Sequence, residues 1–155
     1  MTYWLMKSEP DEFSIDDLRL KKEARWDGVR NYQARNFIRQ MAIGDHIWFY
    51  HSSCNKVGIA GIMKVVGTHY PDPLALDETS PYYDEKSLED NKWSAIDVAF
   101  ERKFESTYLL SDIKRLAETD QRLTDFALTK KGNRLSVMPV SEAQWQCIMA
   151  EIESC

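Results

Sequence analysis

Apolar and polar residues follow one another along the chain in patterns that predict both strands and helices. Residues Tyr3 to Ser8 are rich in aromatic and aliphatic side chains, and they predict a strand that ends before Glu9 and Pro10. Ser14, with Asp17 three residues later, has the pattern of a helix N-terminus in which each side chain bonds to the other residue's backbone N–H. We therefore expect a strand followed by a helix in this part of the chain.

A second helix is predicted from Asn31 to Met41, because apolar side chains recur there at the spacing of one helix face. Those side chains belong to Ala34, Phe37, Ile38 and Met41. Asn31, Arg35 and Arg39 form a separate polar stripe at the margin of that face. Gly44 is expected to end the helix.

The middle of the chain predicts strands. Asp45 to His51 and Val57 to Val66 are strongly apolar, and Ala95 to Phe100 alternates between apolar and polar side chains. Gly58 and Gly61 interrupt the second of these strands. Glycine inside a strand marks a bulge, a bend or a close approach of two backbones.

The remaining residues add helical patterns and complete the predicted fold class. Weak helical signals run from Ser111 to Leu128, and a short strand is expected at Leu135 to Met138. Ser141 begins another capping box, and the helix after it has one apolar stripe formed by Trp145, Ile148, Met149 and Ile152. The sum is a single α+β domain over residues 1–155, with about five strands curled into an open barrel and helices between and beside them.

Composition excludes several classes of protein. Of the 155 residues, 43% are hydrophobic, so the chain can bury a core, but no run approaches the length of a membrane span. Cys54, Cys147 and Cys155 are odd in number and far apart in the sequence, with no CxxC pair, which argues against a secreted disulfide scaffold and a four-ligand zinc site. We expect a cytoplasmic protein, or a nuclear one in a eukaryote, with no membrane partner.

Charge is segregated along the chain, although the net charge is only −5. The basic segment, residues 19–39, has seven basic and two acidic side chains, whereas the acidic loop, residues 72–90, has seven acidic side chains and one basic one. A negative net charge argues against non-specific binding of nucleic acid over a broad surface, but it permits one local basic face. Simple solvation of surface helices explains the same pattern equally well.

The sequence contains no recognisable catalytic or metal-binding motif. His46, His51 and His69 lack the spacing of a metalloprotease pair, and neither a Walker loop nor a dinucleotide-binding glycine motif is present. The run from His51 to Cys54 contains nucleophilic side chains but no triad or nucleophile-elbow context. We therefore expect no catalytic residues, no metal ion and no cofactor.

Clusters of aromatic and polar residues point to binding instead. Trp26 and Trp93 lie among glycine, charged and loop residues, whereas Trp4, Trp48 and Trp145 lie in apolar patterns typical of a core. A tryptophan face on which a nucleic-acid base stacks contributes about 1–3 kcal/mol. Trp26 and Trp93 are therefore candidates for the opposing walls of a slot that accepts an extruded base.

Several motifs together resemble the EVE domain along essentially the whole chain. They are WLMKSEP at residues 4–10, WDGVRNYQARN at 26–36, FYHS at 49–52, GIAG at 58–61 and RLSV at 134–137. The resemblance implies a PUA-like open mixed β-barrel of about five to six strands with flanking helices, related to YTH and ASCH modules. It also implies a non-enzymatic reader of a modified base in DNA or RNA, with modified cytosine in DNA, such as 5-methylcytosine, as the usual proposal. A monomer is favoured.

The resemblance and the aromatic clusters together define a predicted site. The base-binding pocket is expected to contain Lys7, Ser8, Trp26, Val29, Asn31, Phe49, Tyr50, His51, Ser52 and Trp93. The neighbouring phosphates are expected to contact Arg30, Arg35 and Arg39, because cationic side chains beside a base pocket hold the backbone.

Two other classes of function stay open on the sequence. One is a pocket for a small molecule or free nucleoside, with enzymatic activity from His51 and Cys54. The other is a protein-interaction module that uses the acidic loop as its contact surface.

Overall fold

A mixed β-sheet organises the fold. The computed structural model describes residues 2–154. Its strands are β1 (Tyr3–Ser8), β2 (Glu23–Trp26), β3 (His46–His51), β4 (Gly58–Val65), β5 (Tyr70–Pro71), β6 (Ser94–Leu109) and β7 (Val137–Val140). The sheet order is β2-β6-β4-β3-β1-β7, with β5 added to β6. β1 runs parallel to β3, and the other pairs are antiparallel. The predicted α+β class with a mixed, open sheet is confirmed, with seven strands instead of five to six.

Four α-helices flank the sheet: α1 (Ile15–Lys21), α2 (Tyr32–Gln40), α3 (Leu110–Thr119) and α4 (Glu142–Glu153). The capping boxes predicted at Ser14 and Ser141 are both present. Asn31 caps α2 with its side chain, which accepts a hydrogen bond from the N–H of Ala34. None of the helices within residues 2–154 is long and apolar enough to cross a membrane.

The structure differs from the sequence prediction at several element boundaries. β2 was not predicted, since its residues, EARW, show no apolar alternation and it forms by pairing with β6 at the sheet edge. α2 ends at Gln40, with Met41 as its C-cap, because Met41 adopts extended backbone before the chain reaches Gly44. The strand predicted at 135–138 lies at 137–140, and the one predicted at 95–100 continues to Leu109.

Gly58 and Gly61 allow β4 to approach β6 closely, as the sequence predicts. A Cβ atom on Gly58 would lie 2.2 Å from the Tyr108 carbonyl oxygen, and one on Gly61 would lie 2.3 Å from the Arg102 carbonyl oxygen. The register between β3 and β4 also shifts near Gly61, which marks an irregularity in the ladder. Glycine is therefore required at these positions by backbone crowding.

Two apolar clusters occupy opposite faces of the sheet because successive side chains of each strand alternate in direction. Along β3, Ile47 and Phe49 belong to one cluster, and Trp48 and Tyr50 belong to the other. Trp48 stacks on Trp145 of α4 with ring centroids 4.4 Å apart. Trp4, Trp48 and Trp145 are all buried, so the prediction that they are core residues is confirmed.

Candidate functional site

An open pocket of about 650 Å³ lies where the ends of β1, β2 and β3 meet. Its volume is in the range of small-ligand sites. Residues from five parts of the chain line it: Lys7, Ser8, Glu9, Glu12, Phe13, Lys21, Ala24, Arg25, Trp26, Asp27, Gly28, Val29, Arg30, Ser52, Tyr82, Arg134 and Ser136. The parallel pairing of β1 with β3 brings Ser8 beside His51, and so places Ser52 at the same end of the sheet.

The apolar wall of the pocket is formed by Trp26 and Phe13. Their rings meet edge to face with centroids 6.3 Å apart, and only 8% of Trp26 is exposed. Phe49 packs behind them, 5.3 Å from Trp26 and 6.2 Å from Phe13, and is fully buried. Phe49 therefore fixes the wall without lining the pocket.

Three serines place hydroxyl groups at the pocket. The Ser8 hydroxyl donates to the carbonyl of Phe13 at 2.6 Å, so its oxygen still has acceptor capacity. Ser52 and Ser136 are held through their backbones, which bond to Ser8 and to Lys7, respectively. Within residues 2–154, the hydroxyls of Ser52 and Ser136 have no hydrogen-bond partner. They are therefore free to bond to the polar edge of a ligand.

The lining carries five basic and three acidic side chains among the described residues. Lys7 lies 5.7 Å from the centre of the Tyr50 ring, and burial lowers the pKa of its ammonium group. Lys21 lies over the ring of Phe13, and Arg134 is exposed. No acidic side chain within residues 2–154 forms an ion pair with Lys7, Lys21 or Arg134, so their charges are available to a ligand.

Arg30 also lines the pocket, but other groups of the protein occupy its guanidinium. Nη1 donates to the buried carboxylate of Asp72 at 2.9 Å, and Nε and Nη2 both donate to the carbonyl of Tyr82. The Asp72 carboxylate also accepts from the Gly28 N–H at 2.8 Å. Arg30 therefore binds the acidic loop to the segment that carries Trp26.

Trp93 does not line the pocket that contains Trp26, so the structure does not bring the two predicted indole walls together. Its ring stacks on Tyr32 with centroids 4.8 Å apart, and its indole N–H donates to Asp84 at 2.9 Å. The Arg30 guanidinium lies 5.3 Å from the same ring. Tyr32, Arg30 and Asp84 thus pack against Trp93, of which only 8% is exposed.

Four other predicted pocket residues surround the site without lining it. Asn31 uses its side-chain oxygen to cap α2, and Phe49 packs behind Trp26. Tyr50 belongs to the opposite core cluster, where burial raises its pKa to about 12. The Nε2 atom of His51 accepts a hydrogen bond from the Ile15 N–H at 3.1 Å. By contrast, Lys7, Ser8, Trp26, Val29 and Ser52 all lie in the lining of this pocket.

Arg35 and Arg39 form hydrogen bonds to the residues at and just before the start of β6. Arg35 donates to the carbonyl of Lys92 and to the side chain of Asn36. Arg39 donates to the same carbonyl and to the Ser94 hydroxyl. Neither side chain lines the pocket. Arg30, Arg35 and Arg39 are thus bonded to other groups of the protein, so they add less to a basic face than the sequence indicates.

Several lining residues lie outside the set that the sequence predicts for the pocket. Arg134 and Ser136 belong to the quoted motif at residues 134–137, so that motif was the signal for them. Phe13 directly precedes the predicted helix N-terminus at Ser14 and belongs to none of the quoted motifs. Tyr82 carried no signal, because its position depends on how the acidic loop folds back over Gly28. In the described part of the chain, no group of three or more histidine, cysteine, aspartate or glutamate side chains is arranged to hold a metal ion.

Comparison with known proteins places the chain in one family. Residues 2–151 match the EVE domain. Human thymocyte nuclear protein 1 is 40% identical over 165 residues, which cover 96% of this chain and 73% of that protein.

Solved structures agree closely with the fold. The crystal structure of a Pseudomonas syringae protein is 56% identical, with a TM-score of 0.92, and the match covers 97% of this chain and 99% of that one. The human THYN1 protein, crystallised in complex with 5-methylcytosine-containing DNA, is 39% identical, with a TM-score of 0.93 and coverage of 99% and 98%.

Proposed function

The chain belongs to the EVE domain family, and we propose that it is a non-catalytic DNA-binding protein that captures a modified cytosine base in the pocket beside Trp26. The observation that carries this proposal is the convergence of three kinds of group in one pocket. An aromatic wall, unpartnered hydroxyls and unpaired cations meet in a volume of about 650 Å³. The relative crystallised with 5-methylcytosine-containing DNA has the same fold over nearly its whole length.

Each kind of group has a role in holding an extruded nucleotide. Trp26 and Phe13 supply the apolar surface for the ring and its methyl group. The serines supply hydrogen bonds to the polar edge of the base, which is unpaired outside the duplex. Lys7, Lys21 and Arg134 attract the flanking phosphates, because no acidic side chain of the described chain neutralises them.

The contribution of the methyl group alone is limited. Burying one methyl group contributes about 0.8 kcal/mol, or about a fourfold change in affinity. Stronger discrimination requires a polar contact that only the modified base satisfies. From methyl burial alone we therefore expect a preference of about fourfold for the methylated base in otherwise identical DNA.

Binding of matched oligonucleotides tests this function. Three duplexes that differ only in cytosine, 5-methylcytosine or 5-hydroxymethylcytosine at the central position are titrated at one salt concentration, since affinity depends strongly on salt. We expect wild type to prefer a modified duplex and Trp26→Ala to lose that preference, with the folding of the variant checked by thermal unfolding. Equal affinity of wild type for all three duplexes would exclude modified-base reading.

A further inference from the structure

We propose that Tyr82, which the acidic loop carries to the pocket, is the second aromatic wall against which the captured base stacks. This inference rests on the proposed function, because it assumes that a flat heterocycle enters the pocket. It replaces the role that the sequence assigned to Trp93. It also makes the acidic loop part of the binding site and not a separate arm.

The arrangement of the aromatic rings in the lining supports this role. Phe13, Trp26 and Tyr82 contribute the rings among the described lining residues. Phe13 and Trp26 pack on each other, whereas no ring contact joins Tyr82 to either of them within residues 2–154. Tyr82 is therefore not packed on the other two rings, although all three line the same pocket of about 650 Å³.

Gly28 allows the tyrosine ring to reach this position. A Cβ atom on residue 28 would lie 3.0 Å from the Tyr82 ring, which is closer than ordinary packing. Gly28 also has a φ of +76°, a conformation that side chains other than glycine rarely adopt. The close approach of ring and backbone places Tyr82 directly over the turn that follows Trp26.

Polar contacts at both ends of Tyr82 hold it in place. Its backbone carbonyl accepts from Arg30 Nε at 3.1 Å and from Nη2 at 2.8 Å. Its hydroxyl donates to Glu12 Oε1 at 2.6 Å, across the mouth of the pocket on the turn between β1 and α1. This bond is the main reason that the pKa of Tyr82 rises to about 12. A wall fixed in this way loses little entropy when a base binds.

The test uses Tyr82→Ala, Tyr82→Phe and Tyr83→Ala, with folding confirmed by thermal unfolding. Tyr83 is the matched control, since it is the next residue of the same loop and does not line the pocket. Three duplexes carry 5-methylcytosine, cytosine or an abasic site at the central position. Affinities are measured by fluorescence anisotropy at one salt concentration.

We expect Tyr82→Ala to weaken binding of the 5-methylcytosine duplex by between about fivefold and about a hundredfold, the range that base stacking provides. The loss on the abasic duplex should be less than twofold, because no base is present to stack. Tyr82→Phe should recover most of the lost affinity, and Tyr83→Ala should bind as wild type does.

The outcomes separate this inference from the proposed function. Wild-type protein could bind the cytosine and 5-methylcytosine duplexes equally well and the abasic duplex less well. That result would contradict modified-base reading, but the Tyr82 variants would still test whether the base stacks on Tyr82. If Tyr82→Ala binds the methylated duplex as tightly as wild type does, or loses affinity equally for all three duplexes, the base does not stack on Tyr82. If wild-type protein binds all three duplexes with equal affinity, it does not capture a base, and both the proposed function and the role of Tyr82 are contradicted.

Discussion

Asp72 accepts a hydrogen bond from Arg30 at 2.9 Å, and its side chain has no exposed surface. The pair joins the acidic loop to the basic segment, the two parts of the chain in which opposite charges are concentrated. The other oxygen of the same carboxylate accepts from the Leu74 N–H. The segregated charges are thus partly partners of each other, and their pairing positions the loop that borders the pocket.

Asp72→Ala should destabilise the protein by about 2–4 kcal/mol. The substitution leaves the Arg30 guanidinium, which is largely buried, and two backbone N–H groups without their acceptor. Glu78→Ala is the matched control, because Glu78 is an exposed acid of the same loop, and it should change stability by less than about 0.5 kcal/mol. Urea denaturation measures both values. Equal effects of the two substitutions would contradict this role of Asp72.

Stability should fall as the pH falls below about 6.5, in part because of His51. Burial lowers the pKa of His51 below its ordinary value of 6.5, and its Nε2 atom must be unprotonated to accept from Ile15. The stabilisation of the folded state by neutral His51 is complete above pH 6.5. It declines at lower pH, because His51 of the unfolded chain takes up a proton first, and it levels off below the folded-state pKa.

The difference in unfolding free energy between wild type and His51→Gln measures this contribution from pH 8 to pH 5. It should shrink towards acid pH. His69→Gln, at an exposed histidine, should follow the wild-type curve throughout. Parallel curves for wild type and His51→Gln would show that the His51 proton is not linked to folding.

Gly61→Ala should destabilise the sheet by about 1–3 kcal/mol, because the added methyl group collides with backbone. The new Cβ would lie 2.3 Å from the Arg102 carbonyl oxygen and 2.9 Å from Ile15. Gly67→Ala is the control, since the nearest atom to its Cβ would be 3.9 Å away. Thermal unfolding compares the two variants. Similar melting temperatures would show that β4 and β6 can separate at low cost.

Arg134→Ala should weaken DNA binding and reduce its dependence on salt. If Arg134 neutralises one phosphate, the slope of log affinity against log salt should decrease in magnitude by about 0.9. Arg35→Ala should leave that slope unchanged, because Arg35 bonds to Lys92 and Asn36 of the protein. Titrations at four salt concentrations measure the slopes. A reduced slope in Arg35→Ala alone would place the DNA backbone along α2 instead.

The elements that local sequence determines were predicted well. The capping boxes at Ser14 and Ser141 and the crowded glycines of β4 depend on short-range patterns, and the structure contains them. β2 has no such pattern, and it forms a strand because it pairs with β6. Pairing between distant strands is not visible in the spacing of apolar residues.

The same distinction explains the predicted site. Lys7, Ser8 and Ser52 lie at the ends of adjacent strands, so their position follows from the strand pattern. The choice between Trp93 and Tyr82 depends on the folding of the acidic loop, which brings one ring to the pocket and covers the other. Loop packing of this kind is set by contacts far apart in sequence.

Base capture beside Trp26 can be tested most directly by fluorescence from the DNA itself. A duplex that contains 5-methylcytosine next to 2-aminopurine becomes brighter when the methylated base leaves the stack and exposes its neighbour. Saturating wild-type protein should raise this emission, more for the methylated duplex than for its unmethylated counterpart, and Trp26→Ala should not. Unchanged emission at full occupancy, established in the same sample by anisotropy, would contradict the account.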